Sequence, residues 1–341
     1  MGYRAEKKKT ERKGKLFKRI LLGILLFCIV GLSIFSIFVP TVTWKYYVKL
    51  PKIGRRGDGE LRIHFLDVGQ GDSTLIELPD GKIMLIDGGN NTRLTKKKVL
   101  RYFNALKIDT IDYLIVSHAD VDHCGSLNEV VKYKGVRNAF LPFCEPKDGS
   151  EYARLFSTLT ESDCNWVYTS SKVKNIESVT EKYPFKIAFI YPNSSDIENG
   201  LISGEMPTED MDNYYSSVVY LEYMGIRILF AGDIPNKIEE ELVFSDVNGL
   251  MTSTGASLAD LDVLKVSHHG SKDASSLEFL EYTAPNTAVI SCGRDNAYGN
   301  PTEVVLGRLN SVGANIYRTD VHGNIVVTVY ADGRPYAVST V

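Results

Sequence analysis

At 341 residues, 44% hydrophobic and 24% charged, the chain has ordinary globular composition, enough for one large domain or two small ones, and no internal repeat or low-complexity segment. The net charge of −3 hides a division: residues 1–19 carry nine Lys and Arg against two Glu, leaving 30 basic and 40 acidic residues for the remainder. So acidic a body argues against strong non-specific attraction to a polyanion, although a local basic patch would not show in the total.

In chain order, the first element is an uncharged run of Ile, Leu, Phe and Val over residues 20–39, long enough as a helix to cross a hydrocarbon core of roughly 30 Å. The nine cations before it predict a single-pass protein of the cell membrane with a cytoplasmic N-terminus and an extracellular C-terminal domain. Trp44, Tyr46 and Tyr47 are expected as interfacial anchors. A cleaved signal peptide is the rival reading, but Ser36-Ile37-Phe38-Val39-Pro40 offers no clear small-x-small cleavage site. Pro51, Gly54, Gly57 and Gly59 mark a tether. The expected organisation is thus a basic leader (1–19), a transmembrane helix (20–39), a tether (40–60) and a folded domain (61–341). Of the five cysteines, Cys28 falls in the span, while Cys124, Cys144, Cys164 and Cys292 are either paired or free, buried thiols.

Within the domain, short apolar runs predict strands at 62–66, 73–78, 82–86, 113–116, 185–190, 217–223, 226–230, 263–266, 287–291 and 324–329. Asp80-Gly81, Met224-Gly225 and Asp332-Gly333 read as hairpin turns. Helical patterns fall at 96–106, 126–132, 151–159, 236–243, 276–283 and 302–310, the last with Pro301 at its start and Gly313 beyond its end. A mixed α/β domain follows.

Directly after the strand at 113–116 comes His118-Ala119-Asp120-Val121-Asp122-His123. Burying so many ionisable groups without partners costs several kcal/mol, roughly, so a cation is the expected partner. Imidazole with carboxylate suits zinc, manganese or iron better than magnesium or calcium. Asp233 follows the strand at 226–230, and His268-His269 follows the strand at 263–266. Three strands thus deliver ligand-type side chains at their C-terminal ends, the edge where open α/β sheets gather ligands. Asp67 and Asp72, in a loop with Gly69 and Gly71, read as residues that orient ligands or else cap the turn, and Asp87 at a strand end reads the same way. Ser271, Ser275 and Ser276 precede a helix and serve either an anionic oxygen or ordinary N-capping. His64 and His322 read as a strand residue and a turn residue without a metal role.

Several stretches carry a family resemblance: His64-Phe65-Leu66-Asp67-Val68-Gly69-Gln70-Gly71-Asp72-Ser73, Leu85-Ile86-Asp87-Gly88-Gly89, residues 117–125, Phe230-Ala231-Gly232-Asp233, Leu264-Lys265-Val266-Ser267-His268-His269-Gly270-Ser271, and Tyr317-Arg318-Thr319-Asp320. In this order they resemble the metallo-β-lactamase superfamily, and specifically the soluble C-terminal domain of the ComEC/Rec2 competence proteins. The resemblance implies a four-layered αβ/βα sandwich with two divalent ions, Zn or Mn, at one edge. His118 and Asp120 would serve the first ion, Asp122, His123 and one of His268 and His269 the second, and Asp233 would bridge. The superfamily's separate histidine between hexapeptide and bridge is absent, since no His occurs from 124 to 267. An Asn-x-x-Ser-like stretch, Asn213 to Ser216, stands there instead, leaving the first position poor in ligands. The relatives' Tyr-Gly-His-Pro-His-Pro is here Tyr298-Gly299-Asn300-Pro301-Thr302, without either histidine.

The implied function is hydrolysis of a phosphodiester, with Asp122, His123 and Asp233 as the catalytic core. DNA is the expected substrate, membrane lipid and a DNA-uptake machinery the expected partners. The alternatives are a phosphodiesterase acting on a wall polymer or choline phosphoester, and a non-catalytic metal-binding module. Oligomeric state is not legible.

Overall fold

The computed structural model describes residues 2–38, 45–203, 206–208, 213–251 and 253–341. Val39, the first tether residues (40–44) and the Trp44 anchor lie outside the described residues. The chain forms two units, residues 1–49 and 50–341.

The first unit is the helix α1 (Gly2–Phe38). Its Arg12–Ser36 stretch contains an 18-residue segment with a mean hydropathy of 2.4, none of it buried, and is long and apolar enough to cross a membrane. After it, Tyr46 is buried, and the exposed Tyr47 stands edge-on to Phe35, ring centroids 6.2 Å apart.

The second unit runs β1 (Leu61–Phe65), β2 (Thr74–Glu77), β3 (Ile83–Ile86), α2 (Arg93–Leu106), β4 (Thr110–Ile115), the one-turn α3 (Val121–Cys124), α4 (Leu127–Tyr133), β5 (Gly135–Leu141), α5 (Glu151–Thr160) and β6 (Asn165–Tyr168). It continues through β7 (Ile176–Glu177), β8 (Phe185–Tyr191), α6 (Ser194–Ser203), β9 (Val218–Tyr223), β10 (Ile226–Phe230), α7 (Asn236–Val247) and β11 (Val263–Lys265). Then come α8 (Leu277–Thr283), β12 (Thr287–Ile290), α9 (Glu303–Ser311), β13 (Asn315–Arg318), α10 (Thr319–His322), β14 (Ile325–Val329) and β15 (Ala337–Thr340).

One sheet has the order β15-β14-β1-β2-β3-β4-β5-β6 and the other β13-β12-β11-β10-β9-β8-β7. Each is parallel in one half, β3 to β6 and β10 to β13, and antiparallel in the rest. Met224 and Gly225 close the β9–β10 hairpin with φ of 52° and 76°, the twist that a two-residue turn between antiparallel strands requires.

Alternation along β1 shows how the layers form. Leu61, Ile63 and Phe65 face the second sheet, while His64 points the other way, to the Tyr102 hydroxyl of α2 (2.9 Å) and to Glu77 (3.0 Å). Between the sheets Phe65 meets Phe230, and Phe140 meets Phe189 with ring centroids 4.8 Å apart. Helices α7, α8 and α9 press Ile238, Leu242, Phe279, Leu280, Val305 and Leu309 onto Leu229, Leu264 and Ala288 on the outer face of the second sheet. Each such buried side chain contributes about 1.5–3 kcal/mol relative to exposure. The result is the four-layered αβ/βα sandwich, with the C-terminal ends of β4, β10 and β11 brought to one edge.

The four cysteines of this unit are all buried, and none forms a disulfide. Cys124 packs behind the hexapeptide, its thiol donating to the Ala119 carbonyl at 3.1 Å.

Candidate metal centre

The hexapeptide folds as an extended residue pair followed by a single turn. The Asp120 carbonyl accepts from the backbone N–H of His123 (3.0 Å) and Cys124 (2.9 Å), which swings Asp122 and His123 to the edge. The loop after β1 locks against this turn: Asp72 N donates to the Asp122 carbonyl at 3.1 Å, and Gly71 lies so close that a Cβ there would stand 2.1 Å from the same oxygen.

From the second sheet come Asp233 and the two histidines. Gly232 has φ of 56°, and a Cβ on it would meet Ser216 Oγ at 2.2 Å, so glycine is required before Asp233. Ser216 Oγ accepts from Asp233 N at 3.1 Å and lies 3.5 Å from His118 Nδ1. His268 and His269 occupy a short 3₁₀ stretch with φ of 47° and 53°, a left-handed backbone that points the two rings differently.

His269 Nε2 lies 3.3 Å from each of His123 Nε2, Asp122 Oδ2 and Asp233 Oδ2, and His123 Nε2 is also 3.3 Å from Asp233 Oδ2. A tetrahedral ion with bonds of about 2.0–2.1 Å sets its donor atoms roughly 3.3 Å apart. His123, His269 and Asp233 therefore fit three ligands of one divalent metal, with Asp122 beside His269 as a candidate fourth. Asp233 Oδ1, buried and without a hydrogen-bond partner among the described residues, fits a carboxylate with capacity to spare for a cation.

A second, looser set surrounds the same carboxylate. His118 Nε2 is 4.0 Å and His268 Nε2 3.8 Å from Asp233 Oδ2, and His118 Nε2 is 3.7 Å from Asp120 Oδ2. Asp120 and His268 sit at the rim, with side chains 49% and 33% exposed against 3% or less for His118, His123 and His269.

Each inner imidazole is oriented from behind. His123 Nδ1 donates to Asp87 Oδ2 at 2.9 Å, and Asp87 in turn accepts from the Ser117 hydroxyl (2.6 Å) and backbone N–H (2.8 Å). His269 Nδ1 faces the Ser291 carbonyl at 2.9 Å. Asp72 Oδ1 also lies 3.2 Å from this nitrogen, but the carbonyl takes the hydrogen bond, so Asp72 acts on His269 through charge. Asp72 meets the ring at Nδ1, the nitrogen turned away from His123, which makes it an orienting group although its carboxylate also lies within 4.8 Å of ligand atoms of His123, Asp233 and His269. Its other oxygen pairs with Lys265 at 2.6 Å, both side chains nearly fully buried.

Charge follows geometry. Burial pushes His123 and His269 toward neutrality, but Asp233 with Asp87 and Asp233 with Asp72 outweigh it and hold both pKa values well above the ordinary histidine range. Burial would raise Asp122, yet the hydrogen bond from His269 and the charge of His123 bring it down to about 2. Burial opposes ionisation of Asp233 too, and the same two histidines hold its pKa well below the carboxylate range.

The remaining sequence candidates lie elsewhere. Asp67 accepts from Gly69 N (3.1 Å) and Lys98 (2.9 Å), which caps its own loop and engages α2 rather than a ligand. Asn213 shapes the turn through its carbonyl, which accepts from Ser216 N at 3.3 Å. Ser271 closes the dihistidine turn, its N–H donating to the His268 carbonyl at 2.9 Å. Ser276 is the N-cap of α8, accepting from Phe279 N, while the N–H groups of Ser275 and Ser276 point at Glu239. Among the functional groups not singled out from sequence are Ser117, the Ser291 carbonyl and Lys265. Only Lys265 left a signal, a lone cation in the apolar run Val263-Leu264-Lys265-Val266.

Two facing sheets with this candidate ligand set at their common edge have the architecture of a metallo-β-lactamase-type domain. The sequence model of the metallo-beta-lactamase superfamily matches residues 66–140, from the loop after β1 to β5 and including the hexapeptide. Over 286 residues the chain is 28% identical to ComE operon protein 3 of Bacillus subtilis, covering 78% of this chain and 33% of that protein. It is 27% identical over 274 residues to Recombination protein 2 of Haemophilus influenzae (80% and 29%) and 26% identical over 268 residues to Competence protein ComA of Neisseria gonorrhoeae (78% and 32%). The chain is thus similar to the metallo-beta-lactamase superfamily over residues 66–140 and, along most of its length, to competence and recombination proteins. It spans about a third of the length of these relatives.

Proposed function

We propose that the protein is a membrane-anchored phosphodiesterase that cleaves DNA outside the cell in a competence-like role, using two divalent ions, zinc or manganese. The observation that carries the metal-dependent chemistry is the triangle of His123 Nε2, His269 Nε2 and Asp233 Oδ2, each 3.3 Å from the other two, with Asp122 Oδ2 also 3.3 Å from His269 Nε2. His118, Asp120 and His268 complete the second position around Asp233, His268 standing in for the histidine that the chain lacks between residues 124 and 267. Bound there, divalent ions supply Lewis acidity toward a phosphoryl oxygen and lower the pKa of a water toward neutrality, which suits hydrolysis.

The chain's own residues prepare that chemistry. Asp87 and the Ser291 carbonyl hold the Nδ1 protons of His123 and His269, so both rings turn Nε2 inward. Ser216 holds Asp233 from its backbone side. Asp120 and His268, exposed at the rim, mark the side from which a phosphodiester strand enters. DNA is supported by the competence and recombination names of the relatives. Anchoring is supported by the apolar helix and the nine-cation leader, which also favour a cytoplasmic N-terminus.

Full-length protein in detergent, loaded with Zn²⁺ or Mn²⁺, is expected to cleave linear or single-stranded DNA, and Asp122→Ala to abolish cleavage. Intact DNA beside turnover of a chromogenic phosphodiester would sink the DNA reading alone. Stoichiometric metal without turnover of either substrate would leave a binding module. Protease added to intact cells is expected to remove the folded domain; full protection would overturn the orientation.

A further inference from the structure

The segment that carries His268 and His269 is held in an unfavourable shape. His268, His269 and Ser275 have φ of 47°, 53° and 53°, left-handed values that side-chain-bearing residues keep only where the surroundings over-determine them. One side chain touches both ends of this segment. Glu239, fully buried on α7, accepts from the Ser267 hydroxyl (2.8 Å) and Ser275 N (2.7 Å) through Oε1 and from Ser276 N (2.9 Å) through Oε2. Ser267 directly precedes His268, and Ser275 and Ser276 lead into α8. The N–H groups that stand free at the start of a helix are thus taken up by an internal carboxylate instead of a substrate oxygen.

The helix bearing Glu239 ties this segment to the other ligand of the second sheet. α7 begins three residues after Asp233, and its first residue, Asn236, donates its N–H to the Asp273 carbonyl at 2.9 Å. His268 N donates to the Gly232 carbonyl at 3.1 Å from the opposite end. Glu239 therefore clamps both ends of the dihistidine segment to α7, the helix that follows Asp233, with no hydrogen bond of its own to a ligand atom. We propose that Glu239 is the positioning residue of the dihistidine turn, holding His269 Nε2 in register with Asp233 and so setting how tightly that position takes a metal. The inference rests on the metal reading of the site but on no particular substrate.

The test is zinc affinity of the full-length protein in detergent, by competition with a chelator, together with thermal unfolding of the zinc-free form. Glu239→Gln keeps size and shape but presents an amide N–H₂ to one of three donors. It is expected to weaken zinc binding about tenfold or more, the range for groups that orient ligands from behind. Turnover of a chromogenic phosphodiester should return to the wild-type plateau at higher zinc with KM unchanged. Glu240→Ala, exposed on the same helix, should match wild type. Wild-type zinc affinity in Glu239→Gln, whether or not its unfolding midpoint drops, would reduce Glu239 to a structural role and overturn the proposal. Glu239→Ala removes all three contacts; should it fail to fold, Glu239→Gln still decides. A wild type that takes up no zinc would overturn the metal reading and this one with it, whereas zinc uptake without phosphodiester cleavage would strike only the proposed activity.

Discussion

His123 Nε2 and His269 Nε2 stand 3.3 Å apart at the junction of the two sheets, although 146 residues separate them in the chain. Two imidazole nitrogens at that distance cannot turn their lone pairs toward each other unless a proton or a cation lies between them. Asp122 and Asp233 bring negative charge to the same point, which favours a cation over a lone shared proton.

Metal uptake should therefore release protons. The two inner histidines have folded pKa values raised by Asp233, Asp87 and Asp72 against the opposing effect of burial. A raised folded value means stability of the metal-free protein that is full below about pH 6.5 and lost as pH rises through the raised values. The unfolding midpoint after chelation is expected to fall as pH rises above neutral, while the zinc-loaded midpoint holds. Titration calorimetry in buffers of different ionisation enthalpy checks the proton release, and uptake without it would count against both histidines as ligands.

The two adjacent histidines should differ in what they cost. His268→Ala is expected to lower zinc stoichiometry by one while leaving one ion bound. His269→Ala removes the residue nearest to all three other inner donors and should abolish tight binding. Metal analysis after gel filtration decides, and equal losses from the two variants would contradict the division.

Gly71 should not tolerate a methyl group. Its φ is 122°, and a Cβ would stand 2.1 Å from the Asp122 carbonyl, an atom held in place by Asp72 N. Gly71→Ala is expected to destabilise by roughly 2–4 kcal/mol, the range for backbone strain combined with a core clash. Thermal unfolding measures it, and a shift within experimental error would show that the loop yields freely.

Lys265 and Asp72 should show strong coupling. Both are buried and 2.6 Å apart, so Lys265→Met alone leaves an uncompensated carboxylate beside the histidines. A loss of about 3–5 kcal/mol is expected for that single change. Lys265→Met with Asp72→Asn should recover a substantial part. Additive losses in the double-mutant cycle would mean that the two charges are stabilised separately.

Much of the architecture was legible because its interior strands are continuous apolar runs and its turns carry Gly. The strands that escaped notice have a common cause. β6, β7, β13 and β15 are short and lie at the four sheet edges, where one side meets no neighbour and an apolar run is not required. β5 is interior, but Arg137 and Asn138 interrupt its apolar pattern and reach the Asp112 side chain and carbonyl of β4. The helical leader was also unmarked, since a run of Lys and Arg carries no apolar periodicity although its residues are good helix formers.

By itself, the order of residues determined which groups stand at strand ends: the hexapeptide after β4, Asp233 after β10, and His268 with His269 after β11. It also determined the kind of chemistry, because clustered imidazoles and carboxylates without a cation would be too costly to bury. Only the tertiary structure decided which histidine belongs to the inner set. Neighbours in sequence are chemically identical, and the choice turns on two left-handed backbone residues that aim one ring inward and leave the other at the rim. The same holds for Asp72 and Asp87 against Asp67. All three are carboxylates in glycine-bearing loops, and what separates them is the direction in which the fold points each one.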